Sequence, residues 1–309
     1  MNYRHAFHAG NFADVHKHAV LVRILIHLRR KPTAFRVIDT HAGDGRYDLL
    51  GAEATQTGEW HNGIERLWKE RRRKNAAQAL LAPYLDAVAA LNPGGQLRAY
   101  PGSPSIVLSL LRPQDRLIAC EREARSAAAL TAALRGDRRV KVLTIDGWTA
   151  LRAYVPPKER RGLVLIDPPF EEANDFERLS EGLAAAHRKW PTGIFTLWYP
   201  IKDRRGPDAL AKRLRHLNLQ VVLRCELMPG PPRAEGGLAG SGLIVVNPPY
   251  TLADDLRMLL PTIGRTLSPT AASRVEWVGK PPSPMGSAGQ GAASQPATPT
   301  FPHAKNVAN

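Results

Sequence analysis

The chain has 309 residues, 43% of them hydrophobic, and its 43 Lys and Arg against 28 Asp and Glu give a formal net charge of +15. That is enough for one large α/β domain with an insertion, or for two modest domains. No apolar run is long enough to cross a bilayer, so no membrane association is expected. The N-terminus lacks a secretory h-region. The two cysteines, Cys120 and Cys225, offer neither zinc spacing nor a disulfide framework, so a reduced, cytoplasmic setting is expected. The positive excess is clumped at Arg71-Arg72-Arg73-Lys74, at Lys158, Arg160 and Arg161, and between Lys202 and Arg215. Such runs are often solvated helix faces, but an excess of this size favours nucleic acid.

In chain order, a helix is expected from about Phe12 to Arg30, where Val15, Val20, Ile24 and Leu28 form an apolar stripe. A strand from Phe35 to Asp39 then enters the turn Thr40-His41-Ala42-Gly43-Asp44-Gly45. Residues Gly51 to Gly95 read as helices. Ile64, Leu67 and Trp68 share one face, and Leu80, Leu81, Tyr84, Leu85 and Val88 recur at helical spacing before Asn92-Pro93-Gly94-Gly95 stops the run. Ser103 followed by Pro104 reads as an N-cap and a first-turn proline.

Six more strands follow. Arg116 to Cys120 ends at Glu121, Val140 to Ile145 ends at Asp146-Gly147, and Gly162 to Ile166 ends at Asp167-Pro168-Pro169-Phe170. The others are Gly193 to Trp198, Gln220 to Glu226, and Leu243 to Val246. Strands alternating with helical segments predict an α/β, Rossmann-like fold with a seven-stranded, mostly parallel sheet. The expected core comprises residues 1–50 and 96–278, with a small helical subdomain, 51–95, inserted after the first strand. Residues 279–309 are rich in Pro, Ser, Gly and Ala and are expected to be disordered.

Open α/β sheets bind ligands at the carboxyl ends of their strands. Gly43 and Gly45 allow a tight turn and close approach to a ligand. Glu121 can accept hydrogen bonds from ribose hydroxyls, and Asp146, beside Gly147, from an adenine amine. Taken singly these signals are weak, since acidic strand ends are often helix caps. The turn lacks the full G-x-G-x-x-G pattern, which counts against a nicotinamide enzyme.

Asp167-Pro168-Pro169-Phe170 resembles the [D/N]-P-P-[Y/F/W] motif of amino-group methyltransferases acting on adenine, cytosine or glutamine. The chemistry asks for these residues. An exocyclic amine is a poor nucleophile because its lone pair is delocalised. A carboxylate at Asp167 and the Pro168 carbonyl can accept its two N–H bonds, while Phe170 stacks on the extruded base. Asp-Pro-Pro is also an ordinary turn. Asn247-Pro248-Pro249-Tyr250 matches the same pattern, but it follows the seventh strand, expected as an antiparallel edge hairpin, and is read as structural. His5, His8, His16 and His18 crowd one segment without Cys or Glu and at unsuitable spacing, so no metal site is expected.

The opening Tyr3-Arg4-His5-Ala6-Phe7-His8-Ala9-Gly10-Asn11, with Asp14-Val15 and Lys17-His18, resembles the bacterial 23S ribosomal RNA adenine-N6 methyltransferase family. The likeness continues through Asp39 to Gly43, Tyr100 to Pro104, Ile166 to Pro169, Leu197 to Pro200, Ser241-Gly242 and Trp277. The resemblance implies a class I fold, S-adenosyl-L-methionine as cofactor and 23S ribosomal RNA as partner. By resemblance Lys17, His18, His41, Gly43, Ser103, Glu121, Asp146, Gly147 and Asp167 line the cofactor pocket, and Tyr3, Arg4 and His5 meet the RNA. The family motif usually ends in Tyr; Phe170 keeps the stacking face without the hydroxyl. A monomer with no obligate protein partner is expected. The alternatives are a DNA adenine-N6 or protein glutamine methyltransferase, or a non-catalytic RNA-binding protein on the same fold.

Overall fold

The computed structural model describes residues 4–217, 219–230 and 237–279. A short 3-10 turn (His5–Phe7) leads into α1 (Phe12–Arg29), β1 (Arg36–Asp39) and β2 (Arg46–Asp48). Then come α2 (Ala52–Thr57), α3 (Ile64–Glu70), α4 (Ala76–Ala90), β3 (Ala99–Pro101) and α5 (Ser103–Leu110). The chain alternates onward through β4 (Arg116–Glu121), α6 (Ala124–Ala133), β5 (Val140–Thr144), α7 (Gly147–Tyr154), β6 (Gly162–Ile166) and α8 (Asp175–Lys189). It ends with β7 (Ile194–Ile201), α9 (Arg205–His216), β8 (Val222–Met228), β9 (Gly240–Val246), α10 (Leu252–Leu267) and β10 (Ala272–Trp277).

The fold is the α/β class expected, with one strand more. The main sheet has eight strands in the order β10-β8-β9-β7-β6-β1-β4-β5, and those from β7 to β5 pair in parallel. β6 at its centre is buried along its whole length. A continuous apolar run is what a parallel strand covered on both faces requires. One hydrophobic cluster fills each face of the sheet.

Three local expectations need correction. The eighth strand, β10, forms the edge; its alternation of exposed and half-buried residues, with Arg274 and Glu276, hid it among surface residues. β9 is no edge hairpin, because it lies between β7 and β8, antiparallel to both. Val246 pairs with Phe195 near the start of β7, so Asn247 sits where the parallel strands begin, at the opposite end from Asp167. Finally, Gly102, not Ser103, caps α5, with Ser103 as its first helical residue. The Ser103 hydroxyl is already committed to another acceptor, Asp39.

The inserted helices hang from a two-stranded neck in which β2 and β3 pair antiparallel, Tyr47 opposite Tyr100. α4 packs on α1, α5 and α10, and its Leu81, Tyr84, Leu85 and Val88 join the same cluster that covers one face of the sheet. α1 is buried almost throughout. The side chain of Asn11 starts it by accepting from Ala13 N and Asp14 N. Its apolar stripe is only part of the story, since Asp14, His16, Lys17, His18 and Arg23 are buried as well. Buried polar groups must find partners: Lys17 reaches Asp167 at the carboxyl edge of the sheet and His16 reaches Ser241, whereas Arg23 pairs with Asp255 of α10.

Candidate active site

The turn after β1 is shaped by two glycines with positive φ, Gly43 at 60° and Gly45 at 76°. A Cβ on Gly43 would stand 2.2 Å from the Tyr47 hydroxyl, so neither conformation nor space admits a side chain there. The Gly43 N–H donates to Glu121 Oε2 at 2.9 Å, and Glu123 N–H to Glu121 Oε1 at 2.8 Å. The glycine turn and the acidic end of β4 are thus one unit.

Beneath the turn, Asp39 is fully buried. Ser103 Oγ donates to its Oδ2 at 2.7 Å, while Oδ1 has no hydrogen-bond partner. Burial pushes its carboxyl up to about 7; the Ser103 hydrogen bond, the Lys17 charge and the nearby His41 backbone N–H, which is too poorly placed for a full hydrogen bond to Oδ1, work against this, and the charge of Asp167 adds to it. A buried carboxylate oxygen without a donor is costly in isolation. It suits a cationic group arriving from outside.

α1 supplies the second cluster. Asp14 is 1% exposed and receives His5 Nε2 at 2.9 Å, the Gly10 N–H at 2.9 Å and Lys17 Nζ at 3.0 Å. Lys17 Nζ also lies 2.5 Å from Asp167 Oδ2 at the end of β6. Burial disfavours both charges, yet His5 and Lys17 hold Asp14 well below the usual carboxylate range. Asp14 and Asp167 in turn hold Lys17 well above the usual range for an amine. His18, next along the helix, meets the Tyr100 hydroxyl at 2.7 Å, and Tyr100 meets the Tyr84 hydroxyl at 2.9 Å. Burial drives His18 down to about 3, against the pull of Asp14, so its ring is neutral.

On the far side of Asp167, Pro168 is buried and Phe170 half-buried. Phe170 lies 4.9 Å from the Phe176 ring and 5.8 Å, edge to face, from the Trp198 ring. The Trp198 indole donates to Ser241 Oγ at 2.9 Å, and Ser241 Oγ meets His16 Nδ1 at 3.0 Å. One helix therefore holds both the carboxylate, through Lys17, and the aromatic wall, through His16.

Other expected residues fall nearby in different states. His41 meets Thr40 Oγ1 at 2.8 Å, stands edge-on to Trp148, and is driven by burial to about 4. A Cβ on Gly147 would lie 2.4 Å from the Thr40 carbonyl and 2.6 Å from the His41 ring, which ties the end of β5 to the turn after β1. Asp146 caps its own helix, accepting from Thr149 N at 2.8 Å and Thr149 Oγ1 at 3.1 Å. Arg4 pairs with Glu53 at 2.5 Å, and Tyr3 lies outside the described residues. The histidines diverge: His5 reaches Asp14, His8 Glu59, His16 Ser241 and His18 Tyr100.

Sequence reasoning missed Asp14, and it read Asp39 only as a strand end. The signal was present for Asp14, which shares a face with Lys17 and His18 at positions i, i+3 and i+4.

The profile of the family described as "Ribosomal RNA large subunit methyltransferase D, RlmJ" matches residues 32–279. The chain belongs to the RlmJ family. It is 38% identical over 281 residues to Ribosomal RNA large subunit methyltransferase J of Haemophilus influenzae, covering 90% of this chain and 99% of that one. It is 39% identical over 280 residues to the Escherichia coli protein of the same name, again covering 90% and 99%. Among solved structures, a Legionella pneumophila protein matches with a TM-score of 0.81 and 32% identity, over 87% of this chain and 98% of that one. RlmJ membership places the chain among RNA methyltransferases and, with the fold, implies use of S-adenosylmethionine. No helix among the described residues is long and apolar enough to cross a membrane.

Proposed function

We propose that the chain transfers a methyl group from S-adenosylmethionine to the N6 amine of a specific adenine in 23S ribosomal RNA. The observation that carries this reading is Asp167-Pro168 at the end of β6, with the carboxylate gripped by Lys17 and an aromatic wall beside it. Lys17 engages Oδ2 of Asp167. Oδ1 and the Pro168 carbonyl are then the acceptors for the two amine protons, which turns the N6 lone pair out of conjugation and towards the incoming methyl. Phe170, kept in place by Phe176 and Trp198, stacks on the flipped base.

The cofactor, when bound, supplies a methyl group on a sulfonium that the amine can displace directly. The residues present fit it. The partnerless Oδ1 of Asp39 suits an ammonium group, the N-terminus of α5 at Ser103 a carboxylate, and Glu121 ribose hydroxyls. The close packing of Gly147 on Thr40 and His41 brings Asp146 beside the turn after β1, where its carboxylate is an acceptor for an adenine amine. Lys17 and His18 complete the wall from α1, and Arg4 and His5, with Tyr3 before them, meet the RNA. N6-methyladenosine should appear in nucleoside digests of unmodified 23S RNA incubated with the protein and labelled S-adenosylmethionine. Label in duplex DNA or in protein, and none in RNA, would replace this substrate with one of the alternatives.

A further inference from the structure

A cavity of about 400 Å³ opens at the base of the inserted helices, away from the strand ends that hold Asp39, Glu121 and Asp167. Leu50, Trp60, Trp68, Lys69, Arg71 and Arg98 are among its lining residues. Its volume is at the small end of the range for ligand pockets. Four features give it a chemical character.

The Arg71 guanidinium lies 4.2 Å from the centre of the Trp68 ring, and its Nη1 donates to the Trp68 carbonyl at 2.7 Å, so its plane is fixed. Trp60 forms an apolar wall of the cavity, its indole held by stacking on His61 with ring centroids 3.7 Å apart. Leu50 is a large apolar side chain left 54% exposed at the cavity. The surroundings are positive, with Lys69 exposed and Arg72, Arg73 and Lys74 following in sequence. The one carboxylate in the lining, Glu65, is already paired with His61 and Lys69, each at 3.1 Å.

A lone phosphate would use the positive charge but neither Leu50 nor the indole. An apolar peptide would leave the cations idle. A flat, neutral ring attached to an anionic backbone uses all four features. We propose that this cavity takes one unpaired nucleotide of the RNA substrate, other than the adenine that is methylated. The base stacks against Arg71 and lies along the apolar wall of Leu50 and Trp60, while the flanking phosphates meet Lys69 and Arg98. Leu50 follows β2 by two residues and Arg98 directly precedes β3. The cavity therefore flanks the neck that joins the Gly43–Gly45 turn to Ser103.

This inference rests on the RNA-methyltransferase reading, and its test separates the two. Steady-state transfer to 23S RNA is compared for wild type, Arg71→Ala, Arg71→Lys and Arg188→Ala, the last an exposed arginine on α8. Arg71→Ala should raise KM for RNA about tenfold with kcat within about twofold, the loss expected for one base-stacking contact. Arg71→Lys, which keeps the charge and loses the plane, should not restore it, whereas Arg188→Ala should change KM less than about twofold. In parallel, 4-thiouridine-substituted 23S RNA is crosslinked to wild type and the peptides are mapped; adducts within residues 60–71 are expected. Equal effects of Arg71→Ala and Arg188→Ala, full rescue by lysine, or no adduct in that segment would each overturn the subsite. Absence of methyl transfer by wild type would instead sink the proposed activity, with crosslinking still reporting on the cavity.

Discussion

Replacing Lys17 by Met removes the only cation among the described residues that joins Asp14 to Asp167. Lys17 is 6% exposed, Asp14 1% and Asp167 14%, so the change leaves one fully and one largely buried carboxylate without their shared partner. Removing one member of a buried ion pair costs about 3–5 kcal/mol, because the remaining charge has lost its compensation. His5 and the Gly10 N–H still hold Asp14, which puts the expectation near the lower figure, about 3 kcal/mol at pH 7. At roughly 2–4 °C per kcal/mol for a chain of this size, Tm should fall by about 6–12 °C.

The loss should shrink with acid. In the variant Asp14 keeps the burial that raises its pKa and loses the Lys17 charge that opposed it, so protonation should relieve the folded state as pH drops from 7 to 5. In wild type Asp14 is held well below its ordinary value, so its contribution is still intact at pH 5 and is lost only as pH falls through that depressed pKa. Thermal melts of both proteins at the two pH values provide the assay. A variant as stable as wild type at pH 7, or a gap that does not narrow at pH 5, would refute the reasoning.

Asp39, pushed up to about 7 by burial, should make cofactor binding pH-dependent. An ammonium needs the carboxylate form, so Kd for S-adenosylmethionine should rise as pH falls below 7, by up to about tenfold per unit. Calorimetry with Asp39→Asn should show a flat profile. Without cofactor the same shift runs the other way: stability present below the unfolded pKa is lost as pH rises through 7. Asn247 has a φ of 52° and donates to the Pro191 and Gly193 carbonyls at 2.7 and 2.8 Å. Asn247→Ala should cost about 1–3 kcal/mol in denaturant unfolding and leave kcat unchanged; lost transfer in a folded protein would restore the second Pro-Pro motif as a catalytic candidate.

The sequence made the sheet legible where strands are buried on both faces. Leu163 to Ile166 and Val37 to Asp39 are apolar runs that end in acidic or glycine turns, and such runs have few alternatives. β10 was opaque because a half-exposed edge strand carries polar residues that read equally well as loop. The interior position of β9 was opaque for another reason: strand order is set by long-range pairing, which periodicity does not encode. Within the site, Glu121 with Gly43 and Asp167 with Phe170 could be read from strand ends. The role of α1 could not. The apolar stripe from Val15 to Leu28 described one face only, whereas α1 is buried almost throughout and its polar residues reach Asp167, Tyr100 and Ser241. Asp39 is an ordinary strand end in sequence, and its buried oxygen without a partner arises from the packing of the turn above it.

The central claim is that Asp167 acts on the amine of the base. The direct measurement is methyl transfer to unmodified 23S RNA by wild type and Asp167→Ala, with S-adenosylmethionine affinity measured on the same preparations. The account predicts a loss of about 10²–10⁴-fold in kcat, with Kd for the cofactor held within about tenfold and N6-methyladenosine as the wild-type product. Transfer by Asp167→Ala at a rate near that of wild type would contradict it.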